Sequence, residues 1–218
     1  MSTPIIKLTP STLAALLCSR ICHDLISPVG ALGTGIEILN DESNSDMHDD
    51  AIDLIKNSSR QANAKLEFLR DAFGAAGSAP GIIAVSDIRK KTNNMYADGK
   101  ANFNWQLSSD GVIKARARLI LNLIMLATGA IPRGGDITIS DAENGDIISL
   151  VAKGPRARLD VNIERALSGK APENGFDGRT IQPFYTGMMA RELQGQITTE
   201  VSEEKITFTV KTTIPTEA

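Results

Sequence analysis

Two long stretches of helical periodicity, joined by one short polar turn, open the chain and limit its fold more than any other feature. Thr9-Pro10 reads as an N-cap with proline at the first helical position, and the pattern then runs to about Asn40. Ala14, Ile21, Leu25, Leu32 and Ile36 recur in steps of four or seven, with Cys18 between them, and make one apolar stripe. Asp41 to Ser45 is a turn. A second helix runs from about Asp46 to Phe73, with Ile52, Ile55, Ala62, Leu66, Leu69 and Phe73 as its stripe, and Gly74 stops it. Two such helices make an antiparallel hairpin. One hairpin covers both stripes poorly, whereas two hairpins make a four-helix bundle, so the pattern predicts a homodimer.

After this the pattern changes. Gly74 to Gly81 is small, proline-containing and uncharged, the composition of a linker. It separates a helical part at residues 1–76 from an α/β part at residues 82–218, with residues 77–81 as the linker itself. In the second part Ile82 to Val85 reads as a strand, and Ser86 as the cap of a helix reaching about Tyr96. Ala101 to Leu107 is an alternating strand and Val112 to Ala130 a strongly apolar helix. Asp136–Ser140 and Asp146–Ala152 pair as strands around a turn at Asp141 to Gly145. Leu159 to Leu167 is a short helix, and Ile181 to Leu193 a longer one that ends at Gly195. Ile197–Val201 and Lys205–Thr213 close the chain as a hairpin. Helices on one side of a mixed sheet make a two-layer sandwich, and the whole chain is expected to be α+β.

Composition excludes several classes. The net charge is −3, so no overall basic field attracts nucleic acid or an anionic membrane. The start lacks a basic region and is interrupted by Pro4 and Pro10, unlike a signal peptide, and no apolar run approaches the ~18 residues of a membrane span. Cys18 and Cys22 have no second Cys or His pair at ligand spacing, which argues against zinc. They read as reduced, buried cysteines of a cytoplasmic protein.

The chemistry points to His23. On a helical wheel it lies nearly opposite the stripe of Ile21, Leu25, Leu32 and Ile36, on a face shared with Thr12, Ser19, Ser27, Gly30 and Thr34. Pro28 follows in mid-helix, where it removes the hydrogen bond to the carbonyl of Asp24 at a cost of about 3 kcal/mol if uncompensated. Gly30, Gly33 and Gly35 follow, each costing about 1 kcal/mol relative to alanine. They either let a partner's backbone approach the His23 face or pack against another helix. His48, the other histidine, receives no role.

The run Ser19-Arg20-Ile21-Cys22-His23-Asp24-Leu25-Ile26-Ser27-Pro28 resembles the H-box of dimeric sensor histidine kinases, in which the phospho-accepting histidine is followed by an acid and, five positions on, by proline. Leu121 to Ala127, followed by Ile131-Pro132-Arg133-Gly134-Gly135, is similar to the family's N-box helix and the turn after it. Met188 to Ile197 is similar to the helix and strand after its last glycine box. The departures are specific. The Mg²⁺-holding asparagine would fall at Leu126. Lys153 to Ala157 keeps one glycine and lacks the adenine-reading acid, and Thr180 to Gly187 is bulky where a glycine-rich loop belongs. A triphosphate needs close backbone N–H groups and a metal ligand, so ATP binding is not expected.

A kinase-like hairpin joined to a disabled ATP domain resembles a family of bacterial cell-cycle histidine phosphotransferases. That resemblance implies a homodimer with His23 as the site. It would take phosphate from the receiver domain of a hybrid histidine kinase and pass it to response regulators. No cofactor or metal is expected on this chain, and Mg²⁺ is expected in the receiver. Asp24 would set the imidazole tautomer, Arg20 would pair with the phosphoryl group, and Ser27 stands where some relatives orient a hydrolytic water. Each is otherwise a plain surface residue. With the hairpin turning near Ser43, His23 should lie beside residues 63–67, so Gly30, Asn63, Glu67 and Arg70 are expected at the docking surface. The rival readings are an active kinase, a receiver-binding scaffold without chemistry, and a response-regulator phosphatase.

Overall fold

The structure is a computed structural model and describes residues 5–74 and 81–212. The expected linker falls almost wholly on residues 75–80, outside the described residues. The helical part is α1 (Pro10–Asn40), a 3-10 segment (Glu42–Met47) and α2 (His48–Phe73). Thr9 caps α1 by accepting a hydrogen bond from the Thr12 N–H at 3.2 Å, and Pro10 follows it inside the first turn. Asp49 and Asp50 at the start of α2 and Arg70 near its end complement the helix dipole. The expected turn is longer than its polar core, and α2 begins two residues later than anticipated. Asp41 accepts from the Ser43 N–H and hydroxyl, which winds the following residues into 3-10 turns.

The α/β part runs β1 (Ile82–Ala84), α3 (Val85–Met95), β2 (Ala101–Gln106), β3 (Gly111–Ile113), α4 (Lys114–Ala130), β4 (Gly135–Ala142), β5 (Ile147–Lys153), α5 (Val161–Leu167), α6 (Ile181–Glu192), β6 (Gln196–Ser202) and β7 (Lys205–Lys211). Five strands form one sheet in the order β2-β4-β5-β7-β6, parallel only at β2–β4. Two boundaries differ from expectation. Val85 already lies in α3, so Ser86 is not its cap. Val112 and Ile113 belong to β3, where they pair antiparallel with Ile83 and Ile82 before α4 begins. β-branched residues suit such a ribbon better than a helix start.

Alternation places the core. Ile137 and Ile139 of β4, Ile148, Leu150 and Ala152 of β5, and Ile206, Phe208 and Val210 of β7 are buried on one face of the sheet. α4 lies across that face and is buried continuously from Leu119 to Ala127, which explains an apolar pattern with no polar stripe. Phe68, Leu69 and Ala72 near the end of α2 are buried in the same cluster, so the hairpin and the sheet share one core. Asn122 ties them by polar contacts. Its side-chain amide donates to the Ala72 carbonyl at 2.8 Å, and its oxygen accepts from Gln182 of α6 at 3.1 Å.

The stripe of α1 is only partly covered. Ile21, Leu25 and Leu32 are half-buried, Ile36 is exposed, and Cys18 and Cys22 are exposed rather than buried as expected. Ile21 and Leu25 pack against the shared core, while the cysteines stand outside it. Ile26 is 71% and Val29 55% exposed on the same helix. By length and composition α1 is apolar enough to cross a membrane, although no single apolar run suggested it. Arg20, His23 and Asp24 interrupt it.

Candidate functional site

His23 stands in the middle of α1 with 77% of its side chain exposed. Its Nδ1 lies 3.3 Å from Oδ1 of Asp24, whose own side chain is only 14% exposed. That contact favours a proton on Nδ1 and leaves Nε2 as the nitrogen with a free lone pair. Asp24 is held from several directions. Arg20 Nε donates to its Oδ2 at 3.0 Å, and Lys65 Nζ, on α2, donates to its carbonyl oxygen at 3.0 Å. The antiparallel register of the hairpin sets that meeting.

Arg20 is itself pinned by the α/β part. Its guanidinium donates to the Gly178 carbonyl at 3.2 Å. The loop that presents this carbonyl is built on Asp177, whose Oδ1 accepts from the N–H groups of Arg179 and Thr180 and from the Thr180 hydroxyl. Burial pushes the Asp177 carboxyl up, but these donors and the nearby Arg179 charge outweigh it and hold it below the usual carboxylate range. Arg20 is therefore engaged with both Asp24 and Gly178.

A cleft of about 260 Å³ opens beside this group, lined by Arg20, Asp24, Lys65, Tyr96, Met125 and Thr128. Tyr96 is half-buried by area, yet its hydroxyl lies deep. Burial pushes it up to about 12, against the pull of a Thr128 hydrogen bond and of the Arg20 charge. The α/β part thus closes on the back of the H-box-like segment while the His23 imidazole faces out.

The other residues expected from sequence are exposed, those of α1 along its own surface and Asn63 and Glu67 of α2 toward α3. Ser27 and Gly30 are exposed along α1, and a Cβ added at Gly30 would meet nothing within 4 Å. Asn63 and Glu67 are exposed on α2 and line a groove of about 650 Å³ completed by Asn94 of α3 and Asp98 of the turn after it. Arg70 is exposed and lies 3.6 Å from Asp71. Gly35 behaves differently: its Cα faces Ile55 and the Ala51 carbonyl, so it is the close-packing glycine of the hairpin. Lys65, Tyr96, Thr128 and Gly178 escaped the sequence reading. Lys65 was accessible from the hairpin register; the other three carry no local signal.

The positions that resemble a nucleotide site are occupied by packing. Leu126 is buried in the core. Gly134 and Gly135 take left-handed φ of 86° and 140°, and Gly154 packs against that turn, so these glycines bring backbone against backbone. A Cβ at Gly187 would strike the Leu167 carbonyl. Ile181 and Phe184 of α6, with Phe176 before it, pack against Leu13, Leu16 and Leu17 of α1 where a phosphate loop would stand. Among the described residues no three His, Cys, Asp or Glu side chains gather to hold a metal.

An outward imidazole, backed by a fixed carboxylate on a helical hairpin, is chemically able to carry a phosphoryl group. Comparison with known proteins agrees. Residues 85–205 match the family described as histidine phosphotransferase C-terminal domain. The chain is 39% identical over 215 residues to protein phosphotransferase ChpT of Brucella abortus (strain 2308), covering 97% of this chain and 100% of that protein. A solved structure of a bacterial phosphotransferase superposes with a TM-score of 0.84 at 34% identity, covering 96% of this chain and 100% of that one. The chain belongs to the histidine phosphotransferase family.

Proposed function

We propose that the chain relays phosphate through His23, taking it from the receiver domain of a hybrid histidine kinase and passing it to aspartates of response regulators. The observation that carries this is the exposed imidazole whose Nδ1 is met by a carboxylate held by Arg20. In the first step the Nε2 lone pair attacks phosphorus, an Nε2–P bond forms, and the aspartyl O–P bond breaks with its electron pair left on the receiver carboxylate. Nδ1 keeps its proton and donates to Asp24, which offsets the positive charge gained by the ring. The reverse sequence delivers phosphate to the next receiver. The transition state is loose, so this chain contributes positioning and a docking surface, while Mg²⁺ belongs to the receiver.

The docking surface in this reading runs from Gly30 past His23 to the groove at Asn63 and Glu67. The working form is a cytoplasmic homodimer. A second hairpin would cover Ile26, Val29 and Ile36 of α1 and Ile52 and Leu66 of α2, all exposed here.

The test mixes the purified chain with a labelled, phosphorylated receiver domain, and separately with labelled ATP and Mg²⁺. Acid-labile label should reach the chain from the receiver, fail to reach His23→Ala, and not come from ATP. Label from ATP alone would mean a kinase, and tight receiver binding without transfer would mean a scaffold. Loss of phosphate from the receiver with no trapped phosphohistidine, aided by Ser27, would mean a phosphatase.

A further inference from the structure

Pro28 has no N–H, so the carbonyl oxygen of Asp24 lacks the donor that an unbroken helix would supply. A carbonyl left without a partner at a half-buried position is costly. α1 nevertheless remains helical through this point. The orphaned oxygen receives Lys65 Nζ at 3.0 Å, from the facing turn of α2. Arg20 holds the Asp24 side chain, while Lys65 holds its main chain. With both ends fixed, Oδ1 is left for Nδ1 of His23.

We propose that Lys65 is a positioning residue for phosphoryl transfer. By donating to the carbonyl that Pro28 orphans, it fixes the backbone of Asp24 so that the carboxylate meets Nδ1 and Nε2 stays turned to the donor. The inference rests on the proposed role of His23. It assigns Pro28 and Lys65 to one device: the proline opens a site on the helix, and the lysine crosslinks α2 to α1 one residue from the reacting ring. A helix lacking the proline would close this carbonyl on itself and leave Lys65 nothing to hold there.

That dependence is the test. The full chain, its Lys65→Met and Pro28→Ala variants and the double variant are phosphorylated with phosphoramidate. This small donor carries its phosphoryl group on nitrogen, releases ammonia and needs no docking surface. Thermal melts establish that each variant is folded, and Lys65→Arg, which keeps a cationic donor, should recover most of the rate. Lys65→Met should slow labelling of His23 about tenfold, the scale of a small misplacement of a reacting group. In the Pro28→Ala background, where residue 28 supplies its own N–H, the same change should cost less than about twofold. Equal losses in both backgrounds would mean that Lys65 acts only through charge or general packing, and would overturn the proposal. So would an undiminished rate in Lys65→Met. If His23→Ala took label as fast as the parent, the reading of His23 itself would fail, whatever Lys65 did.

Discussion

Gly30 and Gly35 lie on one helix, and the structure sets them in opposite surroundings. Replacing either by alanine gains the same helix propensity, about 1 kcal/mol. At Gly30 the new methyl meets nothing within 4 Å. At Gly35 it would lie 2.6 Å from Ile55 Cγ1 and 3.2 Å from the Ala51 carbonyl oxygen. Ile55 must move, or the two helices must part, and such overpacking costs about 1–3 kcal/mol. The propensity gain cancels in the difference between the variants, so Gly35→Ala should be less stable than Gly30→Ala by that 1–3 kcal/mol. Urea denaturation at one fixed protein concentration measures it, because self-association makes a midpoint depend on concentration. Equal stabilisation by both changes would refute the reasoning and would mean that the hairpin tolerates a wider spacing at Gly35. Gly30→Ala carries a second expectation: a more stable protein that accepts phosphate from a receiver domain more slowly, since the methyl would stand on the proposed docking face.

Three further outcomes are expected. The Tyr96 hydroxyl, raised from 10.0 to about 12, holds its proton in the folded chain where the unfolded chain has lost it. Its contribution is complete below pH 10 and disappears as pH climbs to about 12, so Tyr96→Phe should flatten the fall of the urea midpoint across that window; an unchanged slope would count against it. Asn122→Leu leaves the Ala72 carbonyl without its side-chain donor, while the Gln182 amide keeps the Asn122 carbonyl and the Thr186 hydroxyl, and chemical denaturation should show a loss of about 1–3 kcal/mol. Ile26→Glu places a charge on an exposed face of α1; if the proposed dimer forms through it, light scattering should report half the parent mass with helicity unchanged, and equal masses for parent and variant would count against that interface.

The hairpin was legible because its signals are local. Thr9-Pro10 marks a start, Gly74 a stop, and the periodicity between them fixes the faces. His23, Asp24 and Pro28 are neighbours in sequence, so their motif survives without any knowledge of the fold. What supports them does not. Tyr96, Thr128 and Gly178 come from three separate elements, and only the docking of the α/β part against α1 brings them to Arg20 and Asp24. The cysteines show the opposite error. Cys18 and Cys22 are apolar enough to be read as core, yet both stand exposed on α1. Strand and helix boundaries slipped where β-branched Val112 and Ile113 looked like the start of an apolar helix. Their partner β1 lies nearly thirty positions earlier, and periodicity cannot see it.

The single core has a consequence for how the molecule comes apart. Phe68, Leu69 and Ala72 belong to α2, but they are buried with α4 and the sheet, and Asn122 bonds the last turn of that helix. The two halves of the sequence should therefore melt as one cooperative unit. Amides near the end of α2 should exchange with deuterium as slowly as those in β5 and β7, while the outer end of the hairpin, near Asn40, opens earlier. Cutting the chain after Gly74 would not release a finished hairpin. It would strip the cover from three apolar side chains of α2, and a failure of such a fragment to carry phosphate would report lost folding before it reported lost docking.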